Sequence, residues 1–193
     1  MKKSTIILLT VLAAVTIWGV ITYNGLVQLD EKVNTAWGNV ETQYQRRADL
    51  VLNLVEIVKE YEKHEQGTLT AVAEARSKAT SVTIDPSNIS PENLQKFQEA
   101  QQGVSSALGK LLAVAESYPD LKAEARFADL QAQLEGTENR IAESRRVFNE
   151  AAKNYNLEIR TFPKNIFGGL FGLRTRPYFE SEYGADKAPK ISF

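Results

Sequence analysis

The chain has 193 residues, 23 lysines and arginines against 24 aspartates and glutamates, and a formal net charge of −1. Such a length suits one domain plus an appendage, the ordinary apolar fraction excludes wholesale disorder, and basic residues interleaved with acidic ones give no signal for a nucleic-acid partner. With no cysteine and one histidine, His64, disulfides, thiolate metal sites, cysteine nucleophiles and lipidated-cysteine anchors are excluded, and any Ser-His triad would have to use that histidine.

Lys2 and Lys3 precede a run with no charge before Asp30. Its apolar part, from Thr5 to Tyr23, is roughly 19 residues, about 28 Å as a helix, which is enough to cross a bilayer core. A cleaved signal peptide is the competing reading. It is set aside because the apolar run exceeds a usual signal core and no small-x-small cleavage site follows it. Trp18, Tyr23 and Asn24 suit a helix leaving through the interface. The expected organisation is a short flank at 1–4, a transmembrane signal anchor at 5–24, a helical bundle at 25–162 and a Phe/Gly-rich tail at 163–193 whose end is disordered. Two lysines before the span, and Asp30, Glu31 and Lys32 after it, put the bundle outside the cytoplasm by the positive-inside rule.

No breaker separates the span from the next segment, since one glycine, Gly25, costs a helix only about 1 kcal/mol. The membrane helix is therefore expected to run on into a soluble one. From Val33 to Tyr61 the apolar positions Val33, Trp37, Val40, Tyr44, Val51, Leu54, Val58 and Tyr61 follow a heptad seam, the pattern of a long helix packed on partners. Arg47 occupies the seam position between Tyr44 and Val51. A turn is predicted near His64–Gly67, then a shorter helix through about Ser81, with Leu69, Val72, Arg76 and Ala79 on one face. Pro86 and Pro91 mark a loop. Its end starts a third helix: Ser90 as N-cap, Pro91 at the first helical position, Glu92 in the first turn. Leu94, Phe97, Val104, Leu108, Leu111 and Ala115 carry that helix to the SYPD stretch. A fourth helix is predicted from Pro119 to Phe162, apolar at its ends and polar in its middle.

These lengths nearly close as an antiparallel four-helix bundle with short connections. The fold class expected is all-α: a transmembrane helix continuing into such a bundle, with long first and last helices. The tail, FPKNIFGGLFGLRTRPYF, is too short and Gly-rich to span. Two readings stand. Phe167, Leu170 and Phe171 could lie in the membrane interface with Arg174 and Arg176 at the headgroups, or the tail could fold back over the base of the bundle.

The chain resembles the LemA family of bacterial membrane-anchored proteins. The resemblance rests on the N-terminal span and AWGNVETQYQRRADLVLNLVEIVKEYEKHE, on LLAVAESYPDLKA and LEGTENRIAESRRVFNEAAKNYN, and on FPKNIFGGLFGL with PYF. Val51-Leu52 depart from it, because the family usually has an apolar residue and proline before Asn53. The resemblance implies an antiparallel helical bundle in a bacterial inner membrane and no established catalytic activity.

A buried guanidinium without acceptors costs several kcal/mol, so carboxylates should face Arg47 and Arg76. Glu116, Glu135 and Glu138 are available on the third and fourth helices. Arg47, Arg76, Glu116, Glu138 and Arg145 are thus the candidate polar layer, separating two apolar zones. It can be read as a register-fixing salt-bridge layer, as a pocket for an anionic ligand or a partner's carboxylate, or as arginines that snorkel to the surface. His64 with Glu62 and Glu65 is a weak metal candidate. No catalytic constellation, phosphate loop or nucleophile elbow is present, and no cofactor or metal is expected. The function expected is a non-enzymatic, membrane-anchored scaffold, partnered by the lipid bilayer and by further copies or other membrane proteins. The competing expectation is a sensor that binds a small anion through the arginine layer.

Overall fold

A computed structural model describes residues 3–61 and 66–180, the side chains of Tyr61 and Phe167 aside. Helix α1, Lys3–Tyr61, runs unbroken for 59 residues, about 88 Å. Nothing crowds Gly25, so the helix passes it undisturbed. The lower third of α1 is a bare apolar cylinder: Ile7, Leu8, Leu12, Ile17 and Ile21 are all exposed. It is long and apolar enough to cross a membrane. Burial begins at Thr22 and Leu26 and then follows the seam, through Val33, Trp37, Val40, Tyr44, Arg47, Val51, Leu54 and Val58.

Helix α2, Gln66–Ser81, descends beside the upper part of α1. A 3₁₀ turn, Pro86–Asn88, opens with Asp85, whose carboxylate accepts from the Ser87 N–H at 2.9 Å. Hydrogen bonds from Ser87 hold the Asp85 carboxyl below its usual range. Helix α3, Pro91–Ala115, ascends, and its N-cap Ser90 accepts the Asn93 N–H at 3.1 Å. The predicted fourth helix is divided. A single turn, α4 (Pro119–Lys122), plugs the top of the bundle with the fully buried Leu121; Glu124 is extended, and α5 (Ala125–Arg160) returns to the base. Helix α6, Lys164–Leu170, comes next. Residues 173–180 are then irregular and lie against the bundle. The result is an antiparallel four-helix bundle of α1, α2, α3 and α5. The long pair α1 and α5 forms its spine.

The core falls into two parts. The upper cluster gathers Leu54, Val58, Leu69, Val104, Leu111 and Phe127. The lower one is aromatic, with Trp37, Tyr44, Phe97, Phe148, Tyr155 and Phe179. Trp37 meets Phe97 and Phe148 edge-on at 5.2 and 5.7 Å and stacks on Phe179 at 6.0 Å. Burial of such rings, about 150–250 Å² each, is a large part of what holds α3, α5 and the tail on α1. The boundary between the clusters is Arg47.

The predicted turn at His64–Gly67 falls partly on residues outside those described, as do the metal candidates His64, Glu62 and Glu65. So does residue range 181–193, where the disordered end is expected.

Candidate functional site

Arg47 projects from the seam of α1 and is 3% exposed. Its Nη1 donates to Ser105 Oγ at 2.9 Å and to Glu138 Oε1 at 3.0 Å. Its Nη2 donates to the Gln101 carbonyl at 3.0 Å and to Gln101 Oε1 at 2.7 Å. The guanidinium also lies 5.0 Å from the centre of the Tyr44 ring. Burying a cation is tolerable only when its protons are accepted, and here α3 supplies neutral acceptors while α5 supplies the charge. Gln101 is itself buried, at 8% exposure, whereas the Glu138 side chain is 45% exposed. The ion pair therefore sits at the mouth of the layer, and the carboxylate keeps part of its hydration.

The remaining predicted members are placed apart. Arg76 is on the other flank: its Nε donates to the Ala48 carbonyl at 3.0 Å, and its Nη2 is 4.0 Å from Asp49. It reaches no member of the Arg47 network: α2 packs on both α1 and α3, and the Arg76 guanidinium is spent on the α1 backbone at Ala48 and on Asp49. Glu116 is exposed at the C-cap of α3, roughly 16 Å along the helix from Ser105. Both are corrected as layer residues. Arg145 is on α5 near the layer but turns to the tail, donating from Nη2 to the Glu180 carbonyl at 2.8 Å and lying over the Phe179 ring at 5.0 Å.

Two open grooves flank the layer. One, of about 800 Å³, runs between α3 and α5 and is lined by Arg47, Gln101, Ser105, Glu138, Arg145 and Tyr178. The other, of about 740 Å³, lies on the α2 side and includes Glu41, Arg46, Asp49 and Asn53. Burial pushes the Glu41 carboxyl above its ordinary value. Among the described residues no three carboxylate or imidazole groups converge on a metal-sized site.

The sequence alone gives no sign of how the tail is held. Asn156 on α5 accepts the Arg176 N–H at 2.7 Å and donates to the Arg176 carbonyl at 2.8 Å. Asn149 does the same for Phe179, at 2.8 and 3.0 Å. Each carboxamide thus imitates a neighbouring strand, offering one donor and one acceptor to one residue. The spacing fits. Seven helical residues advance about 10.5 Å and three extended residues about 10 Å, so the two clamps stay in register. The Arg176 side chain then closes on α1, with Nη2 2.7 Å from Asp30 Oδ1 and Nη1 3.0 Å from the Pro86 carbonyl. At 7% exposure Arg176 is not a headgroup contact. That expectation is corrected: the Arg176 guanidinium is buried against Asp30, three residues before Val33 on α1, instead of being exposed at the surface. The expected membrane contact of Arg174, Leu170 and Phe171 is not affected, since all three are exposed; the Phe167 side chain is not among those described.

A long apolar helix exposed at one end and an antiparallel bundle stapled around it at the other define a membrane-associated helical bundle protein. The chain belongs to the LemA family, whose model matches residues 36–193. Among curated relatives it is 27% identical over 181 residues to magnetosome protein MamQ 2 of Paramagnetospirillum magneticum, covering 85% of this chain. It is 25% identical over 181 residues to MamQ of Magnetospirillum gryphiswaldense, and 25% identical over 158 residues to protein LemA of Metamycoplasma hominis, covering 82% of this chain. The chain spans 66% of the length of the MamQ proteins and 68% of that LemA protein. None of these names denotes a catalytic activity.

Proposed function

We propose that this chain is a non-enzymatic, single-pass scaffold of the bacterial inner membrane, held by an uncleaved signal anchor with its bundle outside the cytoplasm. It would present the bundle to further copies of itself or to other membrane proteins. The observation that carries the reading is the continuity of α1, in which one helix supplies both the apolar span and the central seam of the bundle. A body fixed this way cannot diffuse from the membrane, and α1 fixes its height above it. The layer supports a structural role, because the Arg47 donors are committed to Gln101, Ser105 and Glu138. The names of the MamQ and LemA relatives are compatible with a membrane-associated, non-catalytic protein.

The test is chemical crosslinking in intact membranes followed by gentle detergent extraction with the span retained. Assemblies larger than one chain are expected; recovery of monomer alone contradicts the scaffold. A reporter fused after Phe193 tests the orientation, since it should be active only outside the cytoplasm. The anion-sensor reading has one supporting observation, the α3–α5 groove with Arg47 and Arg145 in its wall. A thermal-shift panel of small anions separates it from the scaffold: an anion that raises the midpoint, with the effect absent in Arg47→Leu, would favour the sensor.

A further inference from the structure

Outside the bare part of α1, exposed large apolar side chains gather in one short piece of the chain. Leu157 is 60% exposed, Phe162 76%, Ile166 58%, Leu170 74% and Phe171 49%. Five such residues within fifteen positions are more than scattered surface hydrophobics require. Ile166 and Leu170 are four apart on α6 and so share a face. The segment is built to hold a fixed shape. Gly168 packs so closely on the end of α5 that a Cβ there would lie 3.1 Å from the Ile159 carbonyl oxygen. Gly172, at φ +67°, ends α6, and the Leu173 N–H returns to the Gly168 carbonyl at 2.9 Å in a Schellman arrangement. The cluster is thus a presented surface on a closed turn.

Its position identifies its occupant. The Phe171 ring meets the Tyr23 ring at 4.7 Å, and Tyr23 is where the apolar run of α1 ends. The cluster therefore adjoins the bare cylinder of α1 at the level of the hydrocarbon boundary, and the two apolar surfaces are continuous. The cations nearby in sequence agree: Arg160, Lys164 and Arg174 flank the apolar residues against one carboxylate, Glu158, which Lys164 pairs. Apolar side chains at the acyl boundary with arginines at the headgroups are the signature of an interfacial element.

We propose that Phe162, Ile166, Leu170 and Phe171 form a second membrane contact, seated in the headgroup–acyl boundary of anionic lipid beside the span. The base of the bundle then rests on the bilayer, and its tilt is fixed by two attachments and not by one. The proposal depends on α1 spanning the membrane.

Because the chain has no cysteine, single nitroxide labels can be placed without other changes. The full chain, reconstituted in vesicles of phosphatidylcholine and phosphatidylglycerol, carries a label at Ile166→Cys, Leu170→Cys, Val15→Cys or Ser117→Cys. All four positions are exposed, so folding is undisturbed, which circular dichroism checks. The readout is the ratio of collision with oxygen to collision with a water-soluble nickel chelate. Ratios several-fold higher at 166 and 170 than at 117, approaching that at 15, are expected. A lipid-like ratio at 15 with a water-like ratio at 166 and 170 overturns this proposal and leaves the span intact. A water-like ratio at 15 overturns the span and the proposal together. Loss of collisions with both reagents at 166 and 170 means a second copy or another protein covers the face, and also overturns it.

Discussion

Replacing Arg47 by methionine keeps an unbranched apolar stem and removes the guanidinium with its charge and five donors. The cost can be built from the contacts. Gln101 is buried and loses a charged donor at both its carbonyl and its side-chain oxygen; an orphaned buried acceptor costs about 1–3 kcal/mol. Ser105 can rotate its hydroxyl to the Gln101 carbonyl, to which it already lies within 3.5 Å. Glu138, 45% exposed, regains water, so the roughly 3–5 kcal/mol of a fully buried broken pair does not apply. Apolar packing of the methionine returns part of the loss. The net expectation for Arg47→Met is about 2–3 kcal/mol of destabilisation, or a fall in Tm of roughly 5–10 °C for a chain of this size. Glu138→Gln should cost less than about 1 kcal/mol, because the pair is solvent-screened, and should add nothing to Arg47→Met. Thermal and denaturant unfolding of the detergent-solubilised chain, followed by circular dichroism, measures all three. The reasoning fails if Arg47→Met is within about 0.5 kcal/mol of the parent, or if Glu138→Gln alone costs as much as Arg47→Met.

Two further predictions concern the tail and the pH response. Asn156→Ala should release the backbone of Arg176, and Asn149→Ala that of Phe179; hydrogen exchange should show loss of protection confined to those amides and their neighbours, while α1 and α5 stay protected. Uniform loss along the bundle would mean that the clamps hold the fold and not the tail. Glu41 carries a carboxyl whose folded value is raised above 4.5 by burial. The folded state therefore favours its protonated form. The favourable contribution is present below the unfolded value and disappears as pH rises through the folded one. Glu41→Gln should accordingly leave Tm unchanged in acid and raise it modestly at neutral pH, with the difference growing upward from about pH 4.5. A gain that is the same at all pH values would contradict the assignment to desolvation.

Much of the architecture is legible in the sequence because it depends on one-dimensional patterns. The seam of α1, the Ser90–Pro91 start of α3 and the unbroken join of span and bundle are read from spacing and from missing breakers. Arg47 stands out because a cation in a heptad position must find acceptors. Its partners are half legible: Glu138 is a carboxylate on a facing helix, but Gln101 and Ser105 look like any neutral surface residue. Arg76 and Glu116 fall in with Arg47 on paper because a single sequence does not record the vertical register of one helix against another. The break before Ala125 is hidden because the residues around it, Lys122 to Ala125, are good helix formers, and only the packing of Leu121 reveals the extra turn. The clamp of the tail is the least legible. An extended segment held by side-chain amides has no hydrophobic period, and its partners Asn149 and Asn156 read simply as polar positions on a distant helix.

The central claim is that a single stiff helix joins the bilayer to the bundle. Distance measurement by double electron–electron resonance tests it most directly, with nitroxides at Val20→Cys and Leu52→Cys in the full chain reconstituted in a bilayer. Both positions are exposed on α1, and an unbroken helix places them about 48 Å apart. The account predicts one narrow distribution near that distance. A broad distribution, or a main peak much shorter, would show that the helix bends between span and bundle, and would contradict it.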